Sequence, residues 1–251
     1  MCYDDQARPP APPGGTGSAS GEEIVLTAAD GNRFMAYRAL PASPPAAQVL
    51  ILPDIRGLHT FYKELARRFA EVGVAAAAMD YFGRTAGIGS RDEGFEWQPH
   101  VQQLTLSGVY ADAAATLDDL RAHAGDQPAY TVGFCLGGSL SFLAGAEDLP
   151  LAGVVGFYAG MSRSFDGRGT LLDRAGEIRR PALGLFGGAD QGIPVEQVEA
   201  FDRALDATGV RHEIVIYPGA PHSFFDRRQE EFAEASADAW RRVLAFIGAG
   251  S

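Results

Sequence analysis

The run Tyr130-Thr131-Val132-Gly133-Phe134-Cys135-Leu136-Gly137-Gly138 constrains the fold more than any other stretch of the chain. A β-rich segment gives way at one residue to a helix-compatible one, with glycines two positions to either side of Cys135. Such spacing suits a sharp strand-to-helix turn whose central residue is held at a strained φ/ψ, the glycines removing Cβ atoms that would collide. A turn of that kind needs a strand inside a sheet to launch it and a helix packed on the sheet to receive it. An α/β architecture is therefore expected.

The remainder of the chain has the same character. Short apolar runs read as eight strands: 24–28 and 33–40, joined as a hairpin at Asp30-Gly31, then 48–52, 74–79, 129–132, 153–158, 182–186 and 213–217. Helical periodicity fills the gaps, as in Tyr62, Leu65, Phe69 and Val72, and recurs through 101–123, 195–207 and 229–247. The expectation is a mostly parallel sheet of about eight strands with an antiparallel start, flanked by helices.

At 251 residues, 46% of them apolar, one domain with a sizeable core is expected. Residues 1–21, rich in Pro, Ala, Gly and Ser, are expected to form a flexible tail, leaving 22–251 as the single domain. A net charge of −11 argues against nucleic-acid and anionic-membrane partners. No apolar stretch approaches the roughly 18–20 residues that cross a bilayer, and the start lacks the features of a secretory signal. Two cysteines, Cys2 in the tail and Cys135, give no disulfide framework and fit a reducing cytoplasm. With no C-x-x-C, H-E-x-x-H, P-loop or G-x-G-x-x-G, neither a metal nor a cofactor is expected. The expected partner is a small molecule, and the expected state a monomer or homodimer.

Cysteine in the central position of such an elbow has the form of a nucleophile, presented above the sheet at a helix N-terminus. The following N–H, that of Leu136, is placed to meet a developing oxyanion, and the helix dipole favours negative charge there. Parallel sheets keep their chemistry in loops beyond the carboxyl ends of strands. Asp190, after strand 182–186, and His222, after strand 213–217, occupy such loops. Their order of nucleophile, acid and histidine is that of α/β-hydrolases. His222 is expected to take the thiol proton, and Asp190 to orient the imidazole. A second oxyanion donor is expected from the loop after strand 48–52, at the N–H of Ile55.

Each residue has a plainer reading. A lone cysteine is commonly a small buried hydrophobe, an aspartate after Gly-Gly-Ala a turn residue, and a loop histidine a locally bonded one. Position at strand ends favours catalysis for Cys135, Asp190 and His222. Asp80 also ends a strand, but it precedes the elbow and suits capping or an ion pair. His59, His100, His123 and His212 suit packing or surface roles.

Gly133-Phe134-Cys135-Leu136-Gly137-Gly138, Asp80-Tyr81-Phe82-Gly83-Arg84, the Asp190 loop and Pro221-His222-Ser223-Phe224 together resemble the dienelactone hydrolase family. The resemblance implies a single-domain α/β-hydrolase with a Cys-His-Asp triad and no metal or organic cofactor. It implies hydrolysis of unsaturated lactones or related esters, the carboxymethylenebutenolidase type of reaction. The first characterised members carry a glutamate after the third strand, which contacts the resting thiol, and an arginine four residues past the histidine, which binds a substrate carboxylate. This chain has Asp54 and Asp226 there, so Asp54 becomes the candidate thiol-activating group and dienelactone itself a doubtful substrate. Arg84, Trp97, Tyr158 and Arg227 are the candidate substrate-binding residues. Two other readings use the same residues: an acyltransferase or cyclase working through Cys135, and a ligand-binding module that turns nothing over.

Overall fold

A computed structural model of the protein describes residues 5–249. Eight strands form one sheet: β1 Ala19–Thr27, β2 Arg33–Pro41, β3 Ala47–Leu52, β4 Val74–Met79, β5 Ala129–Phe134, β6 Gly153–Phe157, β7 Ala182–Gly187 and β8 His212–Tyr217. Their order is β1-β2-β4-β3-β5-β6-β7-β8. β1 and β2 pair antiparallel, as do β2 and β4, and every later pairing is parallel. The helices are α1 Thr60–Glu71, α2 Gly83–Ala86, α3 Gln98–Val101, α4 Leu106–Ala124, α5 Leu136–Ala144, α6 Val195–Thr208 and α7 Ala233–Phe246. Among the described residues, no helix is long and apolar enough to cross a membrane.

The central strands are apolar on both faces because helices cover both. β4, Val-Ala-Ala-Ala-Ala-Met, is a weak strand by intrinsic propensity, yet every residue in it is buried. Its alanines let α1 and α4 approach closely, and the packing overrides the propensity. α1 turns Phe61, Tyr62, Leu65, Ala66, Phe69 and Ala70 inward. α5 is buried along its whole length, and its two serines stay inside only by donating to carbonyls, Ser139 to Gly160 and Ser141 to Val155.

Two sequence expectations need correcting. The apolar pattern over 101–123 is two helices, broken at 102–105, where the Thr105 hydroxyl accepts the Gly108 N–H and caps α4. The stretch set aside as tail contributes to the fold. Residues 19–21 lie in β1, the Gly17 N–H donates to Glu71, the Trp240 indole donates to the Pro10 carbonyl, and Pro9 and Pro12 are buried. Proline-rich chain needs no ladder of its own, so it can lie extended on a surface and be held by side chains that reach it. Cys2 lies outside the described residues.

Candidate active site

The elbow is strained as its glycines predict. Cys135 has φ 55° and ψ −112°, a region that costs a non-glycine residue roughly 1–3 kcal/mol. A Cβ on Gly133 would stand 1.9 Å from the Gly137 carbonyl oxygen, and one on Gly137 would stand 2.1 Å from that of Leu52. The Cys135 N–H donates to Phe157 at the end of β6 (3.0 Å), and the Cys135 carbonyl accepts from Gly138 (3.1 Å). Leu136 opens α5, so its N–H belongs to the first-turn donors that a helix cannot satisfy itself.

The loops after β7 and β8 lie against each other through backbone contacts. Gly188 donates to Tyr217 (2.8 Å) and Ala189 to Ala220 (2.9 Å), and Gly187 has no room for a Cβ against the Ala220 carbonyl. This docking brings Asp190 Oδ2 to 2.6 Å from His222 Nδ1. Asp190 Oδ1 accepts the Gly192 N–H at 2.8 Å, so both carboxylate oxygens are held. With Nδ1 facing the carboxylate, Nε2 is the nitrogen placed to exchange a proton with a reacting group. The His222 ring lies 4.8 Å from that of Tyr158, the residue after the carbonyl that anchors Cys135. A cleft of about 600 Å³ opens beside Asp190 and His222, bordered by Arg228 and Phe232.

The loop after β3 is held differently. Asp54, buried, accepts the Arg56 N–H on Oδ1 (3.0 Å) and the Gly57 N–H on its backbone carbonyl (3.0 Å). Oδ1 also lies 3.5 Å from His59 Nε2. The Tyr81 hydroxyl donates to the carbonyls of Pro53, at 2.9 Å, and of Asp54. The Arg56 guanidinium is fully buried and makes an ion pair with Asp5 at 2.8 Å. Ile55, half-buried, sits in the middle of this loop.

The profile of the dienelactone hydrolase family matches residues 34–251. The chain belongs to the dienelactone hydrolase family. It is 32% identical over 232 residues to the "Putative carboxymethylenebutenolidase" of Methylorubrum extorquens, covering 88% of this chain and 78% of the relative. It is 30% identical over 229 residues to the Escherichia coli protein of the same name, covering 86% and 83%. A crystal structure named "Putative Dienelactone Hydrolase", from Klebsiella pneumoniae, superposes with a TM-score of 0.81 at 28% identity, covering 92% of this chain and 99% of that one. The α/β-hydrolase fold and the hydrolase class follow from these likenesses.

For a dienelactone hydrolase family member, the departures at 54 and 226 have distinct surroundings. Asp226 is buried, where it accepts the Tyr158 hydroxyl on Oδ2 (2.9 Å) and the Arg227 N–H on Oδ1. The Tyr62 phenol, fully buried, is held well above its usual range by desolvation first, then by the charges of Asp54, Tyr158 and Asp226. It therefore stays neutral. Beside the loop after β3, burial pushes the Asp80 carboxyl up, opposed by its ion pair to Arg91 (2.8 Å), and Asp80 Oδ1 accepts the Phe82 N–H. Asp80 is thus engaged in an ion pair and in a hydrogen bond to the backbone two residues on.

The candidate substrate-binding residues separate. Tyr158, at φ 35°, reaches His222 and Asp226. The Arg84 guanidinium is spread over Asp30, Asp112 and the Gly108 carbonyl, because α4 presents a fully buried carboxylate that needs a counter-charge. Trp97 is half-buried at the start of α3, and Arg227 is exposed, bordering a cleft shared with Gln6, Ala7 and Arg8. Sequence reasoning missed the hydroxyl contacts of Tyr81 and the Asp5–Arg56 pair. Tyr81 carried a readable signal, since it follows β4, the strand beside β3.

Proposed function

We propose that this protein hydrolyses a lactone or small carboxylic ester without a cofactor, through a thioester on Cys135. The observation that carries the reading is the 2.6 Å Asp190–His222 contact, on the two loops that follow the strands beyond the elbow. The thiol passes its proton to His222 Nε2 as Sγ attacks the acyl carbon, and the Leu136 and Ile55 N–H groups bind the oxyanion. Collapse breaks the acyl C–O bond, and His222 returns the proton to the departing alkoxide, which in a lactone stays tethered to the acyl chain. Water then attacks the thioester and gives its proton to His222. The carboxylic acid leaves and the thiol is restored. Asp190 stabilises the imidazolium in both halves.

Asp54 is the group next in sequence to the Ile55 donor and acts on the thiol by electrostatics. Tyr158 lines the substrate side of His222. The acyl partner is a small molecule, the setting cytoplasmic. Cys135→Ala should lose turnover on a panel of cis- and trans-dienelactone, simple γ- and δ-lactones and a p-nitrophenyl ester, with Tm unchanged within a few degrees. Turnover equal to wild type in that variant would overturn the triad. A wild type that acylates once and stalls until an alcohol or amine acceptor is added would be an acyltransferase, and stoichiometric binding without product would mark a binding module.

A further inference from the structure

The two oxyanion donors proposed above are supported unequally. Leu136 is fixed by α5, a whole helix. Ile55 sits in a single hydrogen-bonded turn between β3 and α1, and its N–H is only as well aimed as its peptide plane.

That plane is shared with the Asp54 carbonyl. In a trans peptide the C=O and the following N–H point in opposite directions, and the described backbone contains no cis bond. Whatever grips the Asp54 oxygen therefore aims the Ile55 N–H the other way. Two groups grip it: the Gly57 N–H, from within the loop, and the Tyr81 hydroxyl, from the end of β4. The same hydroxyl reaches the Pro53 carbonyl, so it spans two successive peptides where the chain leaves β3. Tyr81 is itself rigid, 2% exposed, with its ring edge-to-face on Phe82 at 4.7 Å.

We propose that Tyr81 is a positioning residue for the oxyanion hole, holding the Asp54–Ile55 peptide so that the Ile55 N–H faces the acyl oxygen. It touches no reacting atom. The inference rests on Cys135 as nucleophile and the Ile55 N–H as donor, and it adds the group on which that donor depends. Loss of a complete oxyanion donor costs about 10²–10³ in rate. Loosening one that Gly57 still holds should cost about tenfold.

The test is Tyr81→Phe in the full chain, with three readouts. Hydrolysis of a p-nitrophenyl ester should fall about tenfold in kcat with KM within twofold. Reversible inhibition by butyraldehyde, whose thiohemiacetal oxygen would occupy the hole, should weaken by a similar factor. Alkylation of Cys135 by iodoacetamide displaces iodide and needs no oxyanion hole, so its rate should stay within twofold of wild type. Unchanged kcat overturns the proposal, and so does a parallel fall in alkylation, which would mean that Tyr81 acts on the thiol or on the fold. Cys135→Ala in the same assay keeps the two readings apart. If it still turns over, the nucleophile assignment has failed; if it is dead while Tyr81→Phe matches wild type, only the role of Tyr81 has.

Discussion

The histidine arm and the β3 arm of the site are built on opposite principles. Asp190 and His222 stand on loops joined by main-chain hydrogen bonds between neighbouring strands, and their own contact is the side-chain bond between them. The loop carrying Ile55 has only its own short turn, Gly57 on the Asp54 carbonyl and Arg56 on the Asp54 carboxylate, and is otherwise held by side chains brought from elsewhere: Tyr81 after β4 and Asp5 on Arg56. A backbone-built arm can lose a side chain and keep its shape. A side-chain-built arm loses geometry and stability together.

Asp190→Asn is the sharpest way to probe the first arm. It keeps the shape of the acid but offers His222 Nδ1 the wrong partner, so kcat should drop on the order of 10³–10⁴-fold. Thermal denaturation should show almost no change in Tm; a large fall would mean that the carboxylate, not the backbone, docks the loops. On the second arm, Asp5→Asn leaves the Arg56 guanidinium with less counter-charge. Asp5 is partly exposed, so the cost should be about 1–2 kcal/mol in denaturant unfolding, accompanied by a several-fold fall in kcat. An unaltered midpoint and rate would remove Asp5 from the site's support. The smallest effect on turnover belongs to Arg84→Gln. With that guanidinium committed to Asp30 and Asp112, kcat/KM should stay within about twofold even for an anionic ester. A selective loss on the anionic substrate would return Arg84 to the pocket.

The same contrast explains what could be read in the chain. Strand existence, the antiparallel start and the elbow were legible because each is a local pattern: alternation, a turn dipeptide, glycines where no Cβ fits. The meeting of Asp190 with His222 was legible from position, each lying a few residues beyond an apolar run. The place of Tyr81 after β4 was legible but its contact was not, since its partner Asp54 is 27 positions away and nothing in Asp-Tyr-Phe-Gly-Arg says where the hydroxyl points. Asp5 was less legible still. A proline-rich start has the composition of disordered chain, and what holds it comes from far along the sequence: Glu71, Glu93, the buried Arg56 and Trp240 of α7. The ion pairs of Arg84 were illegible for a related reason: its carboxylate partners come from a hairpin turn and a helix distant in sequence.

The backbone at Cys135 sets folding against chemistry. A glycine there would sit at φ 55° without strain, so the cysteine keeps its place at a cost to the fold of roughly 1–3 kcal/mol. Under the proposed mechanism the thiol is the position in the elbow where the most stable residue and the reactive one are different residues.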